Sequence, residues 1–435
     1  MIIGIDISPL QGAHRMRGIG YTVLNLINNL PADARKNHHF VLYILPEQHS
    51  EHGNPLELLD VKDLSFETRY LKSRRRFSRK YPGKLWLINS ISNQLVELRD
   101  MYFGDSRVSS LKGVDVFLQT DQSQSLPRRG RTKKALIIYD IIPYALEWEY
   151  LWSYRTARRI QGFSRKASLR CLARRWLYAH KLRVNARRAK LLLSISEQTK
   201  IDFVELLSTP AKKINVSPLG VTTPSSDEDG VPKLKQYVTT SWGHVQRTLV
   251  INPDIPFLLF VGGADKRRKL QDLITAFNNL RGQGHNLKLV LTGDSMKGPE
   301  AIATEEVQTA LKNSSYLEDI IFMGFVDDQT RDWLYKNARA FVFPSKYEGF
   351  GLPVLEAMAH ECPVISYRNS ATYEVAGDFP LYVNDVHELA SAVIRLLRAG
   401  DKDIDAIRQK NLEHVKKYSW HKTAGHIISI LESSV

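Results

Sequence analysis

Short apolar runs recur along the whole chain, and longer segments with helical spacing separate most of them. In the first half the runs are IIGIDIS, FVLYIL, VDVFLQT, ALIIYDII, AKLLLSIS and KINVSPLG. In the second half they are PFLLFVGG, LKLVLTG, DIIFMGFV, AFVFPS and CPVISY. Continuous runs of this length, rich in β-branched residues, are typical of strands buried on both faces. The alternation predicts an α/β fold with two open parallel sheets, each covered by helices.

A polar, turn-rich segment at 222–254 separates the two sets of strands, and we interpret it as linker and loop. The chain has 435 residues, which is too long for one ordinary core. We therefore predict a first domain over 1–218, a second domain over 219–417 and a closing helix over 418–435.

The stretch FVFPSKYEGFGLPVLEAMAH predicts a strand, a glycine loop and a helix in turn. Pro353 is predicted at the first position of that helix, where its missing N–H costs nothing. The loop and first turn leave four backbone N–H groups without helical partners, a site suited to a phosphate or sugar oxygen. These groups belong to Gly349, Phe350, Gly351 and Leu352.

Two glutamates, Glu348 and Glu356, stand at the two ends of this loop and first turn. A bound phosphate repels a carboxylate. We therefore expect both side chains to reach past the phosphate and to accept hydrogen bonds from neutral hydroxyls on either side of it.

Four consecutive cations, Lys266 to Lys269, follow Gly262 and Gly263 at the end of a second-half strand. Cations at a helix start oppose the helix dipole. A bound diphosphate would remove this conflict and use the paired donors of an arginine. A solvated helix start remains the alternative for Lys266 and Arg267.

Three first-half loops are weaker candidates. Gly18 and Gly20 precede an amphipathic helix, where they allow a ligand close to the backbone or form a plain tight turn. Asp140 follows the strand that ends near Tyr139, and it either caps the next element or accepts hydrogen bonds from ligand hydroxyls. Ser196 is predicted as a helix cap, with a glutamate in the first turn.

The net charge of +15 is uneven along the chain. Residues 1–200 hold 35 Lys and Arg against 17 Asp and Glu, a balance of +18, whereas the remainder holds 26 against 29. The cations concentrate at 72–84, 127–134 and 155–190. Such clusters indicate either a solvated surface or a surface for phosphate groups.

The last basic segment has helical spacing, which places Leu169, Leu172 and Trp176 on one stripe. The two cysteines, Cys171 and Cys362, lie too far apart in sequence to indicate a disulfide framework or a metal site, and they favour a reducing compartment. No apolar run reaches the roughly 18 residues of a membrane span, so we expect a cytoplasmic protein.

In this order the motifs resemble the retaining nucleotide-sugar glycosyltransferases of family 4, whose GT-B fold has two Rossmann-like domains facing across a cleft. The resemblance runs from RGIGYT through YDIIP, SISEQTK and SPLGV to FVGGADKRRKL, FMGFV and the E-x₇-E segment. It implies a first domain that binds the acceptor and a second that binds the nucleotide sugar.

The resemblance also implies roles for single residues. Glu348 would contact the donor sugar and Glu356 the ribose, while Arg268 and Lys269 would hold the diphosphate. Asp140 would be a further catalytic residue, and Gly18 and Gly20 would lie at the donor. The nucleotide base would meet Gly324, Phe325 and Val326.

Two positions depart from the family pattern. Tyr139 stands where many relatives carry a histidine that contacts the sugar, so that contact is not carried over. Gly263 stands where many relatives carry an arginine, which leaves Arg268 as the candidate cation.

The resemblance implies transfer of a sugar, with GDP-mannose as the first choice of donor, to a glycan or lipid-linked saccharide in surface polysaccharide synthesis. No metal or other cofactor is expected, because cationic side chains take that role. From the charge we expect salt-sensitive attachment, without insertion, to anionic lipid on the cytoplasmic face of the membrane through 72–84 and 155–190.

Two other functions stay open. The basic first half would also suit a nucleic-acid-binding protein, although no nucleic-acid-binding motif is present. An inactive nucleotide-sugar-binding subunit is the third possibility, but the presence of Glu348, Glu356 and Lys269 favours an enzyme.

Overall fold

The chain forms two compact units, Met1–Gly220 together with Trp420–Val435, and Val221–Ser419. Among the described residues, no helix is long and apolar enough to cross a membrane. The structure, a computed structural model, describes residues 1–12, 14–15, 18–46, 50–51, 53–60, 65–72, 96–108, 110–127, 130–159, 162–223, 234–240, 243–248 and 255–434.

A seven-stranded parallel sheet with the order β3-β2-β1-β4-β5-β6-β7 forms the centre of the first unit. Its strands are β1 (Ile2–Asp6), β2 (His39–Ile44), β3 (Phe66–Tyr70), β4 (Val116–Gln119), β5 (Lys133–Ile138), β6 (Leu191–Ser194) and β7 (Ile214–Val216). The strand order reverses between β1 and β4, and parallel α/β sheets bind ligands beyond the strand ends at such a point.

Helices cover this sheet. They are α1 (Gly18–Asn28), α2 (Ala32–Asn37), α3 (Ile142–Ala145), α4 (Tyr154–Arg159), α5 (Arg165–Arg188), α6 (Glu197–Glu205) and α14 (Trp420–Glu432), and residues 96–103 are helical as well. The closing helix α14 packs on α1, where the rings of Tyr21 and Trp420 meet edge to face at 5.8 Å. Thr423 then donates a hydrogen bond of 2.7 Å to the carbonyl of Pro218.

The second unit contains a six-stranded parallel sheet with the order β12-β11-β10-β13-β14-β15. Its strands are β10 (Phe257–Val261), β11 (Lys288–Thr292), β12 (Ile320–Gly324), β13 (Ala340–Phe343), β14 (Val364–Tyr367) and β15 (Leu381–Val383). Here the order reverses between β10 and β13. The predicted α/β class with two parallel sheets is therefore confirmed.

The helices of the second unit are α7 (Leu270–Gly282), α8 (Glu305–Lys312), α9 (Asp328–Asn337), α10 (Leu352–Ala359), α11 (Ser370–Ala376), α12 (Val386–Arg398) and α13 (Asp401–Val415). Leu270, Leu273 and Phe277 of α7 are fully buried, because spacings of three and four residues place them on one face of the helix.

Two expectations about local structure were wrong. Part of 222–254 is an antiparallel hairpin of β8 (Lys235–Thr240) and β9 (Gly243–Thr248), where linker and loop were expected. Gly18 and Gly20 do not precede α1 but lie in its first turn. A Cβ on Gly20 would come within 2.4 Å of the carbonyl oxygen of His14, so this close packing requires glycine.

A buried ion cluster lies where the first sheet reverses its strand order. Arg107 Nη2 lies 2.7 Å from Asp105 Oδ2 and 3.6 Å from Asp6 Oδ2. Gln119 at the end of β4 donates to the same Asp6 oxygen at 2.6 Å. Burial raises the pKa of Asp6, and the Arg107 charge opposes that rise. One guanidinium thus compensates two carboxylates away from water.

We expect Arg107→Ala to lower the free energy of unfolding by roughly 3 kcal/mol or more, since it removes the guanidinium that compensates two buried carboxylates. Chemical denaturation at pH 7 measures the loss. The loss is expected to shrink as the pH falls, because burial raises the pKa of Asp6 and, without the Arg107 charge to oppose that rise, Asp6 becomes neutral by binding a proton.

Arg408→Ala is the matched control, because Arg408 is 40% exposed beside Asp405. The free energy of unfolding of this variant is expected to stay within about 1 kcal/mol of the parent's. Equal losses in the two variants would contradict the role given to Arg107.

Candidate functional site

The loops that follow β10 and β13 meet at the reversal point of the second sheet. The loop after β10 carries the four cations, and the loop after β13 carries Glu348. The main chains are joined directly, since Lys346 N–H donates to the carbonyl of Arg267 at 2.8 Å. These two loops therefore form one site.

The sequence predicted that these cations open a helix, and this prediction is wrong. Lys266–Arg268 form a separate 3₁₀ turn, which the side chain of Asp265 caps by accepting from Arg267 N–H at 3.2 Å. Lys269 follows with φ of +46°, a left-handed conformation that is rare outside glycine, and α7 begins at the next residue. The chain turns at Lys269, and backbone strain of this kind is common at binding sites.

Glu348 holds two of these cations. Arg267 Nη2 donates to its Oε2 at 3.1 Å, and Arg268 Nε donates to its Oε1 at 3.4 Å. Ser345 Oγ also donates to Oε1 at 3.0 Å. With 7% of its surface exposed, Glu348 lies among donors in a largely dry site, where ionic contacts are stronger than in water.

The sequence left open that Arg267 is solvated at a helix start, and the structure shows that it is not. Its side chain is 12% exposed and bridges Glu348 and Asp265. Lys266 does lie at the surface, where its ammonium is 3.4 Å from Glu306. Arg267 is thus a site residue that the resemblance did not assign.

Gly262 makes room for Arg268. A Cβ at this glycine would come within 1.9 Å of Arg268 Nη1, and its φ of +138° also suits glycine alone. The Arg268 side chain is 17% exposed, and burial lowers its pKa while Glu348 opposes that change. The Arg268 guanidinium occupies the space beside Gly262 that a side chain would fill, and the carboxylate of Glu348 holds it there.

The glycine loop leads into α10. Gly351 caps the helix with φ of +99°, and Leu352 is the first helical residue, so the predicted helix is present but begins one residue before the predicted start at Pro353. Thr372 Oγ1 would lie 3.0 Å from a Cβ at Gly351. The turn therefore requires glycine, and the N–H groups of the first turn have no acceptor within the helix.

Glu356 lies one turn into α10 and faces α9. Tyr335 donates its hydroxyl to Glu356 Oε2 at 3.2 Å, and Arg331 attracts the same carboxylate. Burial raises the pKa of Glu356, with Arg331 opposing the rise. The sequence reading missed both α9 residues, although their spacing of four places them on one helix face.

Glycines end three neighbouring strands of this sheet. A Cβ at Gly293 would meet the carbonyl oxygen of Gly262 at 2.2 Å, and Gly293 N–H donates to the carbonyl of Gly324 at 2.8 Å. Phe325 follows and is 49% exposed, while Val326 is half-buried. An exposed ring at a strand end offers a stacking surface for a planar ligand.

The first-unit candidates have structural partners of their own. Asp140 Oδ1 accepts from Ile142 N–H at 3.0 Å, which is the capping alternative. Tyr139 is buried and donates to the carbonyl of Thr120 at 3.0 Å. Ser196 caps α6 by accepting from Thr199 N–H at 3.0 Å, as predicted.

Among the described residues, no group of three His, Cys, Asp or Glu side chains has a metal-binding arrangement. The charged groups at the second-unit site are instead arginine, lysine and glutamate. Such a set offers donors to an anion and acceptors to hydroxyls.

Part of the chain, including this site, is similar to known proteins. Residues 255–399, which carry both loops, match the family of glycosyl transferases group 1. Over 248 residues the chain is 28% identical to O-antigen chain mannosyltransferase B of Escherichia coli, covering 55% of this chain and 60% of that protein. Over 251 residues it is 25% identical to a glycosyltransferase of Methanocaldococcus jannaschii, with 55% and 59% covered. The chain thus spans about 60% of the length of these curated relatives.

Solved structures show the same fold over the whole chain. Sucrose-phosphate synthase from Thermosynechococcus elongatus has a TM-score of 0.64 at 17% identity, covering 100% of this chain and 98% of that one. Anabaena HepE, solved with UDP and glucose, has a TM-score of 0.57 at 15% identity, with 99% of each chain covered. Residues 255–399 therefore match glycosyl transferases group 1, and the whole chain has the fold of the GT-B glycosyltransferases, as the resemblance implied.

We expect Glu356→Gln to keep or raise the thermal midpoint at pH 7, since the amide keeps the shape and removes a buried charge. A carboxyl whose pKa is raised on folding destabilises the fold above its ordinary pKa, and that cost disappears as the pH falls. The difference between variant and parent should therefore shrink toward pH 4.5.

Scanning calorimetry at several pH values measures this difference. Glu361→Gln is the control, because Glu361 is an exposed glutamate just beyond α10. A variant that is markedly less stable than the parent at pH 7 would show that Glu356 holds the fold together.

Proposed function

We propose that this protein is a retaining glycosyltransferase of family 4 that transfers a sugar from a nucleoside diphosphate donor. The observation that carries the proposal is the position of Glu348 between Arg267 and Arg268, beside the free end of α10. The matched segment 255–399 contains all of these residues.

The local charges suit a diphosphate. Lys266 is paired with Glu306 at the surface. Arg267, Arg268 and Lys269 stand against the carboxylates of Glu348 and Asp265, so these five side chains have an excess of one positive charge. A diphosphate brings two negative charges and accepts hydrogen bonds from guanidinium and ammonium groups. Its oxygens also match the N–H groups at the start of α10.

Donor binding gives Glu348 a second role. When the diphosphate takes up the guanidinium groups, Glu348 becomes available to accept hydrogen bonds from hydroxyls of the donor sugar. Glu356, held by Tyr335 and Arg331, accepts from the ribose hydroxyls, and Phe325 stacks on the base with Gly324 and Val326 beside it. The two carboxylates then bind hydroxyls on the two sides of one diphosphate.

In the transfer step, the bond between the sugar's anomeric carbon and the diphosphate oxygen breaks while an acceptor hydroxyl forms the new bond on the same face of the sugar, which retains the configuration. The hydroxyl proton passes to the departing diphosphate oxygen. Negative charge grows on the leaving diphosphate. Cations that are already in place stabilise that charge without reorganising, which is the larger part of such catalysis. Arg268 and Lys269 have this role in the proposal.

We propose GDP-mannose as donor and a lipid-linked glycan as acceptor, on the cytoplasmic face of the membrane. The support is that two relatives are named as mannosyltransferases, one of them for O-antigen chains. Another relative is named for capsular polysaccharide biosynthesis in Staphylococcus aureus. A solved neighbour binds UDP and glucose, so a panel of donors is the proper test.

We expect Glu356→Ala to weaken donor binding about tenfold, since two hydroxyl contacts are worth about 1.4 kcal/mol or more. Lys269→Ala is expected to lower turnover about 100-fold, because its charge acts mainly as the leaving group forms. Titration calorimetry with each nucleotide sugar and initial rates at saturating donor measure the two effects.

Lys266→Ala is the matched control, because its ammonium lies at the surface of the same turn. It should change neither quantity more than twofold. Tight donor binding with no transfer or hydrolysis would identify an inactive sugar-nucleotide-binding subunit, and unchanged binding and rate in both site variants would overturn the site.

We also expect activity to survive EDTA, because three cationic side chains can neutralise the diphosphate. Rates before and after chelation, and after adding Mg²⁺ or Mn²⁺ back, provide the test. Loss of activity with EDTA and recovery with a divalent ion would contradict metal independence.

A further inference from the structure

Helix α5 exposes the apolar stripe that the sequence placed on one face. Leu169 is 57% exposed, Leu172 42% and Trp176 50%. The helix packs on the first unit through Ala179, Leu182 and other residues near its carboxyl end. The stripe therefore belongs to the outer side of the amino-terminal half, where no described residue covers it.

Two more aromatic residues extend this stripe. Tyr102 and Phe103, at the end of the helical residues 96–103, are 53% and 69% exposed. The His180 ring stacks on Trp176 at 4.5 Å and lies 5.8 Å from the Tyr102 ring. We call Tyr102, Phe103, Leu169, Leu172 and Trp176 together the aromatic face.

Cations lie beside the aromatic face. The exposed cations in the amino-terminal half of α5 are Arg165, Lys166, Arg170 and Arg174. Residues 151–196 contain no aspartate or glutamate, so no acidic side chain of α5 neutralises them. An exposed apolar stripe next to cations that have no acidic neighbour on their own helix is typical of a helix that lies in a membrane interface.

We infer that the aromatic face and its flanking cations dock this protein on an anionic lipid bilayer. Transfer of leucine, tryptophan and tyrosine side chains from water to the boundary between headgroups and acyl chains lowers their free energy, while arginines bind the anionic headgroups. Nucleic acid would engage the cations but leave the leucines exposed. The surface lies in the first unit and does not depend on the donor chemistry proposed above.

Attachment through the aromatic face differs from the attachment that the charge alone predicts. Charge alone predicts binding without insertion, whereas the aromatic face enters the bilayer to a depth of about 5–10 Å. Salt screens the arginine contribution but leaves the apolar contribution. Residues 73–84 of the other predicted segment lie outside the described residues.

The test uses the full chain and vesicles of phosphatidylcholine with or without phosphatidylglycerol. We expect co-sedimentation to increase at least tenfold with phosphatidylglycerol. Arg170→Glu with Arg174→Glu should reduce the partition about tenfold or more, because each cation contributes strongly near an anionic surface. Leu169→Ser with Leu172→Ser and Trp176→Ser should reduce it to a similar extent, including at high salt.

Matched controls come from the second unit. Lys402→Glu with Lys410→Glu makes the same change of charge, and Leu317→Ser with Phe379→Ser removes two other exposed apolar side chains. Each control should leave the partition within twofold. Thermal midpoints of all variants report whether the fold is intact.

Insertion has its own readout. Vesicles with brominated acyl chains should quench the tryptophan fluorescence, and Trp176→Phe should remove most of that quenching while Trp333→Phe keeps it. Binding that ignores phosphatidylglycerol, or survives both sets of surface changes, would overturn the inference. So would salt-sensitive binding of a single-stranded oligonucleotide that the arginine variant loses while vesicle binding stays unchanged.

Discussion

The contact on which the candidate site depends is the ion pair of Glu348 with two neighbouring guanidinium groups. It joins the loops that leave β10 and β13, and Asn369 after β14 donates at 2.7 Å to the carbonyl of Ser345 in the same loop. A carboxylate in a largely dry site is stable only when donors surround it. The three strand ends are therefore held in the arrangement that keeps Glu348 satisfied.

The backbone has to bend sharply for this contact to form. Gly262 leaves the space that the Arg268 guanidinium fills, and Lys269 adopts a left-handed conformation so that α7 can begin directly afterwards. Both features cost conformational free energy in isolation. The packed strands beneath them supply the compensating stability, since Leu258 and Phe260 of β10 are fully buried.

The sequence predicted the sheets well because buried parallel strands are continuous apolar runs, and it predicted the helix at Pro353 for a similarly local reason. It could not show that Arg267 points inward, because a run of four cations looks the same whether solvated or paired. The partners of Glu356 were missed since Arg331 and Tyr335 lie on another helix, about twenty residues away. The hairpin at β8 and β9 was missed because its strands lack an apolar run.

Arginine has two opposite roles in this protein, and the exposure of its side chain decides which one it takes. Arg107 is buried, and Arg267 and Arg268 are largely shielded from water, each beside a carboxylate, so each completes a local balance of charge and fixes a loop. Arg170 and Arg174 have no acidic neighbours on α5 and remain in water beside exposed leucines. A paired cation contributes order within its own unit, whereas an unpaired cation attracts an anionic partner from outside. The basic first half therefore cannot be interpreted from its net charge alone, because only the exposed and unpaired part of that charge is available for binding.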